Sequence, residues 1–246
     1  MLSLIPLSDA NPTRHTPVVT IALIVLNILA FFFLQPGPVS IGGQSRGDAV
    51  YFIDNAPIPC QFEDSCPTSV PGTNLPIPDR TFPEFIGALL LAAFLHANLL
   101  HIGGNMLFLW VFGNNVEDFL RPVKFVAFYL LGAIASGMAQ VLSDPSSAIP
   151  AVGASGAVGG VLGAYFVLYP RARVNTLVPL VFIWTVIQLS AFVVLGIWFV
   201  FQFLVPQEGV AWQAHVGGFV YGAVMIFLLG GRPHRPQPAW RPEWRY

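Results

Sequence analysis

Charge is what this sequence has least of. Asp, Glu, Lys and Arg make up 9% of its 246 residues, where a soluble domain carries about 25%. A water-soluble globule is excluded on that ground. Eleven basic residues stand against twelve acidic ones, for a net charge of -1. No basic face results, which excludes a nucleic-acid partner, because phosphate binding needs clustered Lys and Arg. Cysteine is nearly missing. Cys60 and Cys66 are the only two, and their spacing permits a disulfide in an oxidising compartment and permits free thiols equally. No H-E-x-x-H occurs, and no two apolar segments carry the paired acids of an aspartyl protease. A secretory signal peptide is the weaker reading of the N-terminus: the first apolar run starts only at Val18 and shows no clear small-residue cleavage site before Gln35.

What is present is apolar length. The chain is 55% hydrophobic, and several segments approach the roughly 20 uncharged residues that one helical crossing of a bilayer needs. Six crossings are expected, at 16–34, 84–116, 124–142, 153–168, 175–205 and 211–229. The second and fifth exceed one crossing, so part of each is read as interfacial or tilted. The expected fold is therefore an all-α membrane protein, a six-helix bundle forming one membrane domain at 16–230. Residues 1–15 and the basic segment 231–246 are expected as tails, and 35–83 as a long loop between the first two helices. Arg14, Arg121, Lys124, Arg171, Arg173 and the four Arg beyond Gly231 fall on the tail side. By the positive-inside rule both termini are cytoplasmic and the long loop is external, which suits a multi-pass protein of the cell membrane.

Polar groups inside a span are costly and mark function by default. His101 and Asn105 on the second span, Ser155 at the start of the fourth and His215 early in the sixth all fall in the outer half of the expected bilayer. The fourth span, 153–168, covers only about 24 Å against an apolar thickness of about 30 Å. Its outer end is expected to be sunk beneath a wet cavity with Ser155 on the floor. Gly156, Gly159, Gly160 and Gly163 are expected to face Gly217, Gly218 and Gly222 in small-xxx-small patterns that let the fourth and sixth helices approach closely.

A serine hydroxyl is a weak nucleophile without a base, and His215 is the fitting partner. No carboxylate shares that depth, so a Ser-His dyad is expected in place of a triad. His101 and Asn105, four residues apart on one helical face, and the Ser155 N–H are the candidate oxyanion donors. The plain alternatives are a serine bonded to the carbonyl one turn back, and an Asn105 acting as interhelical glue. His96 diverges from His101 by about 140° on a continuous helix and reads as structural.

With these residues in place, the chain resembles the rhomboid intramembrane proteases of bacterial type. Gly153-Ala154-Ser155-Gly156 matches the family's G-x-S-G, His101-x-x-x-Asn105 its H-x-x-x-N, and Ala214-His215-Val216-Gly217-Gly218 its A-H-x-x-G. Glu117 matches a structural position near the cytoplasmic end of the second helix. The resemblance implies a serine endopeptidase that cuts single-pass membrane proteins through an acyl-enzyme on Ser155. His215 would be the base, His101, Asn105 and the Ser155 amide the oxyanion site, and no metal or cofactor would be required. Two departures stand out. Gly87 and Ala88 replace a Trp-Arg pair of some bacterial members, and Gly159 replaces a Tyr that some members stack on the catalytic His. The alternative is a non-catalytic rhomboid-like protein that binds membrane helices. A small transporter would also place polar groups over a sunken half-helix, but it predicts inverted repeats, and none is visible.

Overall fold

The computed structural model describes residues 4–37, 41, 46–63, 65–180, 183–204 and 211–233. In chain order the elements are β1 (Ile5–Asp9), α1 (Val18–Leu29, extended by a π-helical Ala30–Leu34), α2 (Arg46–Asn55), α3 (Phe82–Ala92), α4 (Leu99–Leu120), α5 (Pro122–Ser143), α6 (Ser155–Leu168), β2 (Arg173–Leu180), β3 (Ile183–Ser190), α7 (Ala191–Leu204) and α8 (Trp212–Leu228). A short 3-10 turn, Pro59–Phe62, lies between α2 and α3.

α6 is the centre of the bundle. It is apolar all round, and eleven of its fourteen residues are buried, the pattern of a helix enclosed by others. α4, α5 and α8 pack around it. Large side chains on the outside are apolar as well: Phe33, Val123, Leu204, Phe227 and Leu228 are each at least 70% exposed, which suits a hydrocarbon surround. Among the described residues one helix, α5, is both long and apolar enough to cross a bilayer by length and composition. α1 with its extension, α3, α6, α7 and α8 are apolar but shorter. α4 has 22 residues diluted by His101, Asn105, Asn114, Asn115, Glu117 and Asp118.

Two expected spans are corrected. The segment 84–116 is not one helix, because it breaks at 93–98 into α3 and α4. Each helix has its own start signal. The Thr81 N–H and hydroxyl both bond the Glu84 carboxylate at 2.8 and 2.7 Å, and the Asn98 side chain accepts from the His101 N–H at 2.9 Å, so both are capped in the usual way. The segment 175–205 is helical only from Ala191. Its first part is an antiparallel hairpin, from Arg173 opposite Ser190 to Leu180 opposite Ile183. Val174, Thr176, Val178, Thr185, Val186 and Ile187 are β-branched, and such side chains favour extended backbone; hydropathy alone does not separate the two.

The all-α expectation is corrected with it. β1 pairs with β2, Ile5 opposite Leu177 and Asp9 opposite Val174, so the segment 1–15 is not simply a tail. The segment is also tied to the helices. The Asp9 carboxylate accepts from the Tyr165 hydroxyl at 2.6 Å and the Asn115 amide at 2.8 Å. Burial lifts the Asp9 carboxyl to about 6, although the bond from Tyr165 pulls the other way. Glu117 receives the Val19 N–H, the Thr20 N–H and the Thr20 hydroxyl at 2.7 to 2.9 Å, which caps α1 with a carboxylate at its positive end. Most of the basic segment 231–246 lies outside the described residues.

At the other end the long loop is a folded cover. Cys60 and Cys66 form a disulfide. Phe52 of α2 and Ala56 just beyond it pack on Ala92 and Leu95. The non-helical stretch before α6 is stitched to this cover by two backbone bonds, Cys60 N–H to Ser147 O at 3.1 Å and Ala151 N–H to Pro57 O at 2.9 Å, and to the end of α3 by a third, Gly153 N–H to Ala92 O at 3.0 Å. Irregular backbone is tolerated at depth when protein satisfies it in this way.

Candidate active site

Ser155 is the first residue of α6 and follows Gly153, whose φ is +123°, a region L side chains rarely adopt. A Cβ there would also lie 2.6 Å from the His101 ring and 3.5 Å from the Ser155 hydroxyl. Glycine at 153 is thus what lets the His101 imidazole lie beside the start of α6. Gly156 does similar work on the far side, because the Ser136 hydroxyl of α5 occupies the space its Cβ would need.

His215 stands on the first turn of α8, and its Nε2 lies 2.8 Å from Ser155 Oγ. The glycines set this distance. A Cβ on Gly159 would meet the His215 carbonyl oxygen at 2.9 Å. Gly218 and Gly222 lie directly against the backbone of Gly156 and Gly160, and Gly163 against Phe219. Gly217 departs from expectation: it faces Ala139 of α5, not α6.

Gly159 leaves no aromatic ring at that position to hold the imidazole. The holder comes from α7, a helix that supplied no candidate residue to the sequence reading. His215 Nδ1 is 2.8 Å from Gln202 Oε1, and the Gln202 amide N–H donates to the Trp198 carbonyl at 3.1 Å. The Trp198 ring lies beside the imidazole, 6.1 Å between centroids. One signal pointed here, since Gln202 is the single strongly polar residue in an otherwise apolar 191–204.

On α4, Asn105 lies one turn beyond His101. It is 8% exposed and its amide Nδ2 has no hydrogen-bond partner among the described residues. An idle buried donor costs about 1–3 kcal/mol, and such a cost is commonly retained where a ligand supplies the acceptor. The Ser155 N–H, at the start of a helix, has no intrahelical acceptor either. His96 is fully buried. Its backbone is clamped on both sides by the Gln35 side chain at 2.7 and 2.9 Å, and its Nε2 accepts from the Ala154 N–H at 3.5 Å. The 140° divergence expected for His96 and His101 does not apply, since the helix is broken between them. Their rings meet edge to face at 5.2 Å.

A cavity of about 40 Å³ opens beside Ser155. Ala93, Ala133, Gly137, Ala157 and Ala214 are among its walls, so small side chains make the space. Among the described residues no group of three or more His, Cys, Asp or Glu is placed to hold a metal ion.

The family model for the rhomboid domain matches residues 84–232, more than half of the chain. The chain belongs to the rhomboid family. Rhomboid protein 1, mitochondrial, of Saccharomyces cerevisiae is 35% identical over 91 residues, 35% of this chain and 26% of that protein. Presenilin-associated rhomboid-like protein, mitochondrial, of Mus musculus is 32% identical over 99 residues, 39% of this chain and 26% of that protein. RHOMBOID-like protein 5 of Arabidopsis thaliana is 29% identical over 152 residues, 59% of this chain and 44% of that protein. The matches span about a quarter of the first two proteins and under half of the third. Rhomboids are membrane-embedded, which agrees with the apolar exterior. The two mitochondrial names give no support to a cell-membrane location in particular.

Proposed function

We propose that this rhomboid is an intramembrane serine endopeptidase acting through Ser155 and His215. The observation that carries the reading is the 2.8 Å contact between His215 Nε2 and Ser155 Oγ, across two helices held together by glycine. In the proposed reaction His215 Nε2 takes the hydroxyl proton as Ser155 Oγ attacks the scissile carbonyl carbon. The oxyanion that forms is met by N–H donors of Asn105, His101 and Ser155. Collapse of the tetrahedral species passes the proton from His215 to the leaving amine and leaves an acyl group on Ser155. Water, deprotonated by the same imidazole, then releases it.

The substrate class is a single-pass membrane protein, cut in or near the outer half of the bilayer. The small cavity beside Ser155 favours a small side chain at the residue whose carbonyl is attacked. Two features at the end opposite Ser155 support the proposed orientation. An open-edged sheet cannot lie in hydrocarbon, and β3 presents such an edge, so the sheet belongs outside the apolar layer. Arg14, Arg121, Arg171 and Arg173 lie at that same end, which makes it the cytoplasmic side under the positive-inside rule. In this arrangement α1, α4, α5, α6, α7 and α8 are the six crossings.

The test uses purified protein in liposomes with a single-pass substrate. Ser155→Ala and His215→Ala are each expected to abolish cleavage while leaving the fold intact. Cleavage by Ser155→Ala at the wild-type rate overturns the proposal, and no cleavage by folded wild type favours a non-catalytic helix-binding role.

A further inference from the structure

We propose that Gln202 is a positioning residue that completes the site by fixing the tautomer and plane of His215. The inference rests on the Ser-His reading above and extends it to a third helix.

The case is one of donor and acceptor direction. An amide side chain has one oxygen that only accepts and one nitrogen that only donates. Which end points where is decided by its surroundings. The Trp198 carbonyl, one turn back along α7, can only accept, and it lies 3.1 Å from Gln202 Nε2. The nitrogen end is therefore committed to Trp198. That leaves Oε1 for the imidazole, 2.8 Å from His215 Nδ1. An oxygen acceptor requires a proton on Nδ1. With Nδ1 protonated, the neutral ring carries its lone pair on Nε2, the atom 2.8 Å from Ser155 Oγ. The chain of bonds runs in one direction, from the Ser155 O–H to His215, from His215 to Gln202 and from Gln202 to the Trp198 carbonyl. A flipped amide would set N–H against N–H at the imidazole and oxygen against oxygen at Trp198.

The choice of an amide has its own logic. A carboxylate in the third position would have to be buried as an anion in a low-dielectric bundle, which is costly without further partners. A carboxamide gives the same acceptor geometry without net charge, as an Asn does in Cys-His-Asn proteases. It also takes over the orienting task that Gly159, lacking a side chain, cannot perform. The imidazolium formed during the reaction keeps its Nδ1–H bond to Oε1, so the ring does not reorient between accepting the proton and giving it up.

The test has a readout independent of turnover. In protein carrying ¹⁵N-labelled imidazoles, with the His215 signals identified by loss in His215→Ala, the resting enzyme should show Nδ1 protonated and Nε2 bare. Gln202→Leu and Gln202→Met keep the bulk and lose the acceptor. Each should shift His215 towards the Nε2–H tautomer and lower kcat about 10- to 100-fold, the range for a donor left without its acceptor in a largely enclosed site, with KM changed less than about twofold. Gln202→Glu retains an oxygen acceptor and should keep His215 in the Nδ1–H tautomer, with a lower melting temperature from the buried carboxylate and the lost bond to the Trp198 carbonyl. An unchanged tautomer with wild-type kcat in both Leu and Met variants overturns the proposal. A structural role alone would lower melting temperature and yield without moving the tautomer, and that outcome overturns it too. If wild type cleaves nothing and Ser155 is inert, the protease reading fails, while the tautomer measurement still decides whether Gln202 orients His215.

Discussion

Replacing Gly153 by alanine tests how the site is assembled, and the structure sets the size of the effect. Two penalties act at one atom. At φ +123° an L residue is strained by about 1–3 kcal/mol. The new Cβ would sit 2.6 Å from His101 Cε1 and Nε2, about 0.8 Å inside ordinary contact, and neither backbone strand can yield easily. The Gly153 N–H is bonded to Ala92 and α6 is walled by α4, α5 and α8. The ring of His101 must move by most of an ångström. A misplacement of that size costs about 10²-fold in rate, so kcat/KM for a single-pass substrate should fall by about that factor or more. Gly103→Ala is the matched control. It lies on α4 near the same site, has no atom within 4 Å of its virtual Cβ, and should leave the rate unchanged while adding up to about 1 kcal/mol of helix stability. Steady-state cleavage and thermal unfolding of both variants decide the matter. Gly153→Ala at wild-type kcat/KM would refute the claim that His101 must lie against this glycine.

Three further outcomes are expected. Asn105→Ala should keep part of the activity, losing on the order of 10²-fold or less, because it is one of several oxyanion donors; a complete loss, or none, in single-turnover cleavage would argue against shared donation. A substrate with Ala at the attacked residue should be cut, and Phe there should lower kcat/KM at least 10²-fold, because a cavity of about 40 Å³ cannot take a benzyl group without overpacking its walls; equal rates would show that this cavity does not receive that side chain. Asp9 should give stability a pH dependence. Its carboxyl is lifted from 3.8 to about 6 in the fold, so the folded state prefers the protonated form. That contribution is complete below about pH 4 and disappears as the pH rises through 6, up to about 3 kcal/mol in all. Asp9→Asn should flatten this part of the profile, and melting curves between pH 4.5 and 7.5 that fall in parallel for both proteins would contradict it.

How much of this was legible in the sequence depended on what kind of signal each feature leaves. The helices of α1, α5, α6 and α8 announce themselves by continuous apolar length, and the close approach of α6 and α8 by glycines four apart. The hairpin of β2 and β3 does not, because Val174 to Leu189 is as apolar as a span and only its β-branched content marks it as extended. The break between α3 and α4 leaves one local trace, the Asn98 cap of α4, while the Gln35 side chain that clamps the His96 backbone comes from 61 residues away and leaves none. The same holds for β1, which gains its place by pairing with a strand that had been read as a helix. Within the site, Ser155, His215, His101 and Asn105 stood out because a polar group among apolar neighbours is conspicuous. Gln202 is equally polar, but it lay at the end of a segment expected as one over-long span, and its meaning depends on Trp198 and His215 meeting it in space. Gly217 was assigned to the wrong neighbour for a related reason: spacing shows that a helix face is small, not which helix lies against it.

The most direct measurement of the central claim is labelling by a fluorophosphonate, which reports an activated serine without requiring the natural substrate. Wild-type protein in liposomes is expected to take up one label, mapped by peptide mass to Ser155, and both Ser155→Ala and His215→Ala should take up none. Absence of label on folded wild type, or label that persists in Ser155→Ala, would contradict the account.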